Sequence, residues 1–487
     1  NMCYNRVINK FVCVYIEVIQ MVIYQNETFP NIYNELELSP TWGERDFVPY
    51  VRDYMSRSNH KVLAIGGLRG TGKTVGLLQA VKELDACYVS AQIDEPETGA
   101  DYVSFLKNCG KKYIVIDEYS WIKDRQILDQ YLYTAVQDGK RIAITGTESI
   151  TLDFLNYKDL LHRVDMVHCT LFSYDEYCRL NNMSPCKQTC ESYLKNGGTF
   201  REYAVKNFDT MQNYIKTAII DNLAAYTRMP TEKATALVYS VLYKAVCPSN
   251  LDHVPVLSED KSDVNNFLNL FGVDRDLELS EGEVKRVGDI LEQIGVVVKV
   301  PNWEKEQTKT ECKYYIVNPS LTCQLILAAY DIADINRGIL GFVYEASVVS
   351  HLWYKKSSED NLYFLERQSD SGNNKELDIV VTQENGRFVY LFECKLRSDC
   401  KLSKKATILS DEMDDCFPDG EILGRYVVYN GEETYKSYND KEVIFAPLGR
   451  TVERYYEFDY HVQRIKELAK ASKKGNNKTA EDYDSDE

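Results

Sequence analysis

Gly67-Leu68-Arg69-Gly70-Thr71-Gly72-Lys73-Thr74 lies between a short apolar run, Lys61 to Ile65, and a stretch, Thr74 to Lys82, whose apolar residues recur at helical spacing. Strand, loop, helix is the order this pattern dictates. The loop fits G-x-x-x-x-G-K-[ST] at every position, and its flanking elements are those the pattern requires. Glycines let backbone N–H groups wrap an anion, and a helix starting near Lys73 points its partial positive end at the same place. Gly67, Leu68, Arg69, Gly70, Thr71, Gly72, Lys73 and Thr74 are therefore candidate ligands of a triphosphate such as ATP. Lys73 adds charge for the outer phosphates, and the Thr74 hydroxyl is placed to ligate Mg²⁺. A glycine turn that binds nothing is the competing reading, which the complete motif in this context disfavours.

Further along, Tyr113-Ile-Val-Ile-Asp117-Glu118 puts two acids at the end of another apolar run. Asp117 is expected to hold Mg²⁺ through water, and Glu118 to polarise an attacking water. Cys87–Ser90, Tyr113–Ile116 and Arg141–Thr145 alternate with helical stretches, as buried parallel strands of a doubly wound sheet do. The last run ends in Thr145-Gly-Thr147, polar groups at the carboxyl edge where ligands of open α/β sheets sit. A threonine here, with Thr147 the candidate ligand, is placed to sense the γ-phosphate; an ordinary strand-end turn is the alternative.

The bulk numbers bound the rest. At 487 residues the chain exceeds what one core ordinarily supports, so two or three domains are expected. Hydrophobic residues at 44% and charged residues at 27% are globular usage. A net charge of -17 opposes any uniform attraction to phosphate backbones, so contact with nucleic acid needs a local basic patch. The 14 cysteines include no C-x-x-C pair, and free thiols in a reducing cytoplasm are expected. Cys178, Cys186 and Cys190 cluster without the paired spacing of a zinc site. Phe11 to Tyr24 is apolar but interrupted by Glu17 and shorter than the roughly 20 residues that span a bilayer, so it reads as a buried helix or strand, with no membrane role. It has no charged leader and no cleavage site, which predicts a cytoplasmic chain, with Met21 an alternative start.

From about Ser173 to Leu270 the pattern turns helical, with Tyr, Leu and Ala recurring at three and four residues. Ser280-Glu-Gly-Glu283 reads as a capping box, Val284, Val287, Leu291 and Ile294 share one face, and Gly295 ends the helix. Val296–Val300 and Lys313–Val317 then suggest a hairpin with a long tip, and helix plus hairpin outlines a winged helix. A helix over Gly338–Tyr354 follows, with strands at Leu362–Leu365, Leu377–Val381, Phe388–Phe392 and Tyr426–Tyr429. The polar, acidic end from Lys473 is expected to be disordered.

Taken together, Arg69 inside the loop, Thr145 to Thr147, the Leu160-x-x-Arg163 step, Leu171-Phe-Ser-Tyr-Asp-Glu-Tyr177 and Tyr193-Leu-Lys-Asn-Gly-Gly198 resemble the prokaryotic AAA-superfamily ATPases that carry a C-terminal nuclease-like domain of unknown function. The resemblance runs from roughly residue 45 to 450. It departs at Leu68 and Thr199, where the family commonly has proline, and neither position supplies a catalytic group. It implies a P-loop NTPase doubly wound parallel sheet, then a helical and winged-helix segment, then an α/β restriction-endonuclease-like domain. The expected organisation is 1–44 extension, 45–172 ATPase core, 173–333 helical lid and winged-helix-like region, 334–470 nuclease-like domain and 471–487 acidic tail. The resemblance also implies that Arg163 contacts nucleotide, in its own subunit or from a neighbour in a homo-oligomer; a surface ion pair is the alternative.

Glu376-Leu-Asp378 and Leu391-Phe-Glu393-Cys-Lys395, with Glu345 on the preceding helix, look like the core of the PD-(D/E)xK nuclease fold. Asp378 and Glu393 at adjacent strand ends can share one Mg²⁺, which binds few carboxylates and keeps several waters. Strand alternation puts Glu393 and Lys395 on one face, where Lys395 can orient a metal-activated water or stabilise the pentavalent phosphate. Glu345, Asp378, Glu393 and Lys395 are thus candidate catalytic residues for DNA cleavage. The acidic balance equally favours a nucleotide-driven switch or scaffold whose C-terminal domain only binds a partner. Around the expected winged helix, Lys285, Arg286 and Lys299 are outweighed by acids, so it reads as a connector more than a DNA reader.

Overall fold

The computed structural model describes residues 22–25, 43–57, 60–91, 98–147, 162–199, 205–247, 264–273, 279–303, 312–368, 374–403, 406–438 and 440–467. They fall into two compact units, Asn1–Thr170 with Thr217–Met229, and Leu171–Lys216 with Pro230–Glu487. The region expected as one helical segment after residue 172 is thereby divided between the units. Most of the N-terminal extension, the acidic tail and the hairpin tip lie outside the described residues.

In the first unit, β1 (Val22–Gln25), β2 (Val62–Gly66), β3 (Ala86–Ser90), β4 (Tyr113–Asp117), β5 (Arg141–Gly146) and β6 (Val164–His168) form one sheet in the order β1-β3-β4-β5-β2-β6. Every pairing is parallel except that of β1 with β3. The expected strands are present, with β6 added beside β2 and β1 recovering the end of the apolar Phe11–Tyr24 stretch. Alternation explains why these runs are apolar throughout. Leu63, Ile65, Tyr88, Val115 and Ala143 pack under helices Val48–Ser56 and Lys73–Val81. Ala64, Val89, Ile114, Ile116, Ile142 and Ile144 pack under helices Gly99–Asn108 and Gln126–Gln137. A sheet covered on both faces leaves its edges for polar chemistry. Gly66 pairs with both Gly146 and His168, and Ser90 with Asp117, so the carboxyl ends of all five parallel strands share one edge.

In the second unit the capping box forms as read: the Ser280 hydroxyl accepts from the Glu283 N–H, and the Glu283 carboxylate accepts from the Ser280 N–H. Helix Glu281–Gln293 ends at Gly295, whose φ of 75° suits glycine and where a Cβ would lie 2.7 Å from the Tyr354 hydroxyl. The hairpin β7 (Val297–Pro301) and β8 (Cys312–Ile316) follows. Lys299, one of the few cations expected here, is ion-paired to Asp289 and Glu292.

Helix Arg337–Lys355 then covers a mixed sheet of β9 (Asn361–Gln368), β10 (Asn374–Gln383), β11 (Phe388–Lys395), β12 (Glu421–Tyr429), β13 (Thr434–Tyr438) and β14 (Lys441–Ala446), in the order β13-β14-β12-β11-β10-β9. Strands β9, β10 and β11 form an antiparallel meander, and β12 returns parallel to β11. The pairing of β9 with β10 shifts between Leu377 and Val380, so Asp378 and Ile379 together face one residue, Phe364. That extra residue is a β-bulge, a device that re-aims side chains.

Buried His351 joins two helices of this unit: its Nε2 accepts the Tyr174 N–H at 3.0 Å while Nδ1–H donates to Ser347 at 2.7 Å. Burial holds the imidazole below its ordinary 6.5, so the unfolded chain takes up a proton that the folded chain resists. This contribution is complete above pH 6.5 and is lost as pH falls through the lowered folded-state value. His351→Gln supplies the same donor and acceptor without titrating. Thermal unfolding of the wild type should therefore fall more steeply below pH 6.5 than that of the variant, with the two converging at pH 8; parallel profiles would refute it.

Candidate functional sites

At the carboxyl edge of the first sheet, the loop after β2 is shaped by its glycines. A Cβ on Gly67 would meet the Cys169 carbonyl oxygen at 2.4 Å, and Gly72 sits at φ 87°, a left-handed conformation. The Lys73 ammonium, nearly buried, folds back onto the Gly67 and Leu68 carbonyls at 2.7 and 3.0 Å. The Thr71 hydroxyl donates to Leu68 at 2.8 Å. Behind the loop, buried Arg45 donates to the Thr71 and Thr170 carbonyls, the latter at 3.0 Å. Thr74 stands in the first turn of the helix and Arg69 is exposed.

Strand β5 separates β2 from β4, which brings Thr145 between the loop and the acids. Both Asp117 oxygens accept hydroxyl bonds, one from Thr145 and one from Tyr88 at 2.6 Å. Glu118 follows at φ 55°, left-handed for a non-glycine residue, a strain found at functional sites. Its N–H donates to Thr145 at 3.2 Å, and its Oε2 is buried without a hydrogen-bond partner among the described residues. Burial and the neighbouring Asp117 hold its carboxyl above the ordinary range, against the pull of Lys73 and Arg69. The structure thus brings Lys73, Arg69, Asp117, Glu118 and Thr145 into one electrostatic group. A glycine loop at a helix start, an ammonium held by loop carbonyls and a buried carboxyl oxygen left over fit a triphosphate with Mg²⁺.

One expected ligand, Arg163, lies elsewhere, whereas Thr147 follows β5 directly at the same carboxyl edge. The Thr147 hydroxyl is 3.3 Å from that of Ser120. Arg163 precedes β6 at the amino edge, its guanidinium 4.0 Å from the Tyr133 ring, separated from the loop by the length of β2, roughly 15 Å. Arg45 and Tyr88 were not legible as site residues, because each acts through a contact distant in sequence.

The second site lies on β10, β11, β8 and helix Arg337–Lys355. Asp378, at the bulge, accepts the Cys394 N–H at 2.5 Å, beside Glu393 across the ladder. Lys395 is 3.0 Å from Glu393, whose Oε2 is buried and has no hydrogen-bond partner among the described residues. Burial, then Glu345, push the Asp378 carboxyl well above the ordinary range, while Lys395 opposes them. The four expected residues therefore share one electrostatic environment. Three more join them: Tyr315 donates to Glu345 at 2.6 Å, and Lys313 is ion-paired to Glu376. Burial disfavours charge on Lys313, but Glu345, Glu376 and Asp378 outweigh it and hold the ammonium above its ordinary value. Glu376 was missed although it stands two residues before Asp378 on the same strand, where alternation puts both on one face; nothing local pointed to the hairpin. Among the described residues, no three His, Cys, Asp or Glu side chains are arranged as a ready metal cage. A divalent ion here would rest on one or two carboxylates and water, which suits Mg²⁺.

Residues 59–178 match the family described as AAA domain. The first unit carries an AAA-type, ATPase-like domain. Residues 340–449 match a second family, described as a domain of unknown function (DUF4143). No curated protein matches the chain. Among solved structures, an S. cerevisiae Hsp104–ADP complex is similar at 11% identity over 56% of this chain and 41% of that one, with a TM-score of 0.27. The Aeropyrum pernix ORC1 protein in complex with DNA is similar at 11% identity over 63% of this chain and 98% of that one, also at 0.27. The chain thus spans under half of the Hsp104 chain it matches. No helix among the described residues is long and apolar enough to cross a membrane.

Arg45 is the residue behind the phosphate loop whose loss should be felt most. Arg45→Ala strands the Thr71 and Thr170 carbonyls and should cost about 2 kcal/mol, read as faster hydrogen exchange at the β2 and β5 amides. Unchanged exchange would show that the guanidinium does not brace the loop.

Proposed function

We propose that the first unit binds ATP with Mg²⁺ and hydrolyses it. The observation that carries this reading is the facing pair at one sheet edge: Lys73 folded into its own loop, and half-buried Glu118 with a buried oxygen that has no hydrogen-bond partner among the described residues. Lys73 exchanges its loop carbonyls for phosphate oxygens, which are stronger acceptors. Asp117, already oriented by Tyr88 and Thr145, and the Thr74 hydroxyl would hold Mg²⁺. When bound, the ion supplies charge neutralisation at the phosphates. Glu118, whose carboxyl burial and Asp117 hold above its ordinary range, takes the proton from the attacking water. Thr145 ties the Asp117 side chain to the Glu118 backbone, so the two acids move together. Arg163, far from the loop of its own chain, would reach nucleotide only across a homo-oligomer interface.

For the second unit we propose Mg²⁺-dependent cleavage of DNA phosphodiesters, with Asp378 and Glu393 holding the ion. Lys395, 3.0 Å from Glu393, orients the water or steadies the phosphate, and Glu345 adjusts the charge of Asp378. The bulge that aims Asp378 at β11 favours a built site over an incidental E-x-K. A non-catalytic, partner-binding use of this unit under nucleotide control is the second reading. It is favoured by the net charge of -17 and by the ion-paired Lys299, which leave little positive surface for a nucleic acid.

Calorimetry in magnesium buffer should register ATP binding by the wild type that Lys73→Ala weakens about 100-fold, on the order of 3 kcal/mol. Equal heats from both would end the ATP reading. Glu118→Gln should keep binding while phosphate release falls by about 10²- to 10⁴-fold. For the second unit, Lys395→Ala should abolish Mg²⁺-dependent nicking of plasmid DNA. If the wild type cleaves no nucleic acid while Asp378→Asn still abolishes capture of a protein partner, the binding role replaces it.

A further inference from the structure

The carboxylate site of the second unit holds a cation that belongs to the chain itself. Lys313 and Tyr315 stand two apart on β8, on one face of the strand, and both reach the cluster. Tyr315 donates to Glu345 at 2.6 Å, and Lys313 is ion-paired to Glu376 with its ammonium 4.9 Å from the Phe364 ring. Phe364 is the β9 residue opposite the bulge that aims Asp378. The hairpin is also stitched there by backbone: the Trp303 N–H donates to the Phe364 carbonyl at 2.9 Å. The cluster therefore brings Glu345, Glu376, Asp378 and Glu393 together with Lys313 and Lys395. Within it the Glu393 side chain is 8% exposed and its Oε2 has no hydrogen-bond partner among the described residues.

We propose that Lys313 is the resident counter-ion of this cluster and competes with a divalent cation for its carboxylates. The proposal rests on the reading that Asp378 and Glu393 hold such an ion. A mostly buried ammonium needs carboxylate partners, and so does the ion. Each weakens the hold of the cluster on the other, by reciprocal coupling between two ligands of one site. Because Lys313 is carried by the hairpin, seating of β8 against the sheet and occupancy by the ion oppose one another. Lys313 is a positioning residue here, with no part in bond cleavage.

The test is a calorimetric titration of Mn²⁺ into the full, nucleotide-free chain, with Asp378→Asn as the blank that assigns heat to this site. Removing a unit charge near a divalent ion should tighten Asp378-dependent binding by at least about tenfold in Lys313→Met and Lys313→Gln, the Coulomb effect expected even at a water-like dielectric. Lys313→Arg keeps the charge and should stay within about twofold of the wild type. Two neutral variants are used because either alone could fail to fold. Unchanged or weaker Mn²⁺ binding in the folded neutral variants, beside measurable wild-type binding, would overturn the competition alone. No Asp378-dependent heat in any protein would overturn it together with the cation reading beneath it.

Discussion

A parallel sheet buried on both faces has nowhere to place a charge except at the ends of its strands, and that constraint organises the first unit. Val115 and Ala143 face one set of helices while Ile114, Ile116, Ile142 and Ile144 face the other, so polar side chains along these strands would be stranded in apolar layers. The acids accordingly wait until the strand has ended. Asp117 is the last residue of β4 and Glu118 the first beyond it. Because β5 intervenes between β2 and β4, the gap between loop and acids is one strand wide, and Thr145 fills it.

The second unit meets the same difficulty differently. Its sheet is mixed, its charged residues sit within the strands, and their burial is tolerated because carboxylates and ammonium groups offset one another. A bulge supplies what a strand end supplies in the first unit, a local departure that turns Asp378 toward β11. The two sites share one signature: each holds a buried glutamate oxygen with no hydrogen-bond partner among the described residues, Glu118 in one and Glu393 in the other. Leaving such an atom dry costs roughly 1–3 kcal/mol, a cost that folding alone gives no reason to retain.

Much of this was legible along the chain. The glycine loop, its strand and helix, the acid pair, the capping box at Ser280 and the meander carrying Asp378 and Glu393 follow from local pattern, since each depends on residues within a few positions of one another. Strands β6, β13 and β14 were not expected. Val164-Asp-Met-Val-His168 mixes polar with apolar residues because it lies at the sheet's edge and is only partly buried, so it lacks the continuous apolar run of its neighbours.

What the linear order determined by itself is the chemistry available: a phosphate-wrapping loop, acids after an apolar strand and an E-x-K on another, each set by spacing that the periodicity of strand and helix converts into position. What only the tertiary structure decided is the company those groups keep. Tyr88 and Thr145 on Asp117, Arg45 behind the loop, Arg163 at the far edge of the sheet and Lys313 among the carboxylates are all contacts between residues 26 or more positions apart. Such partners are chosen by strand order and register, and those are properties of the assembled sheet, absent from any single segment of it.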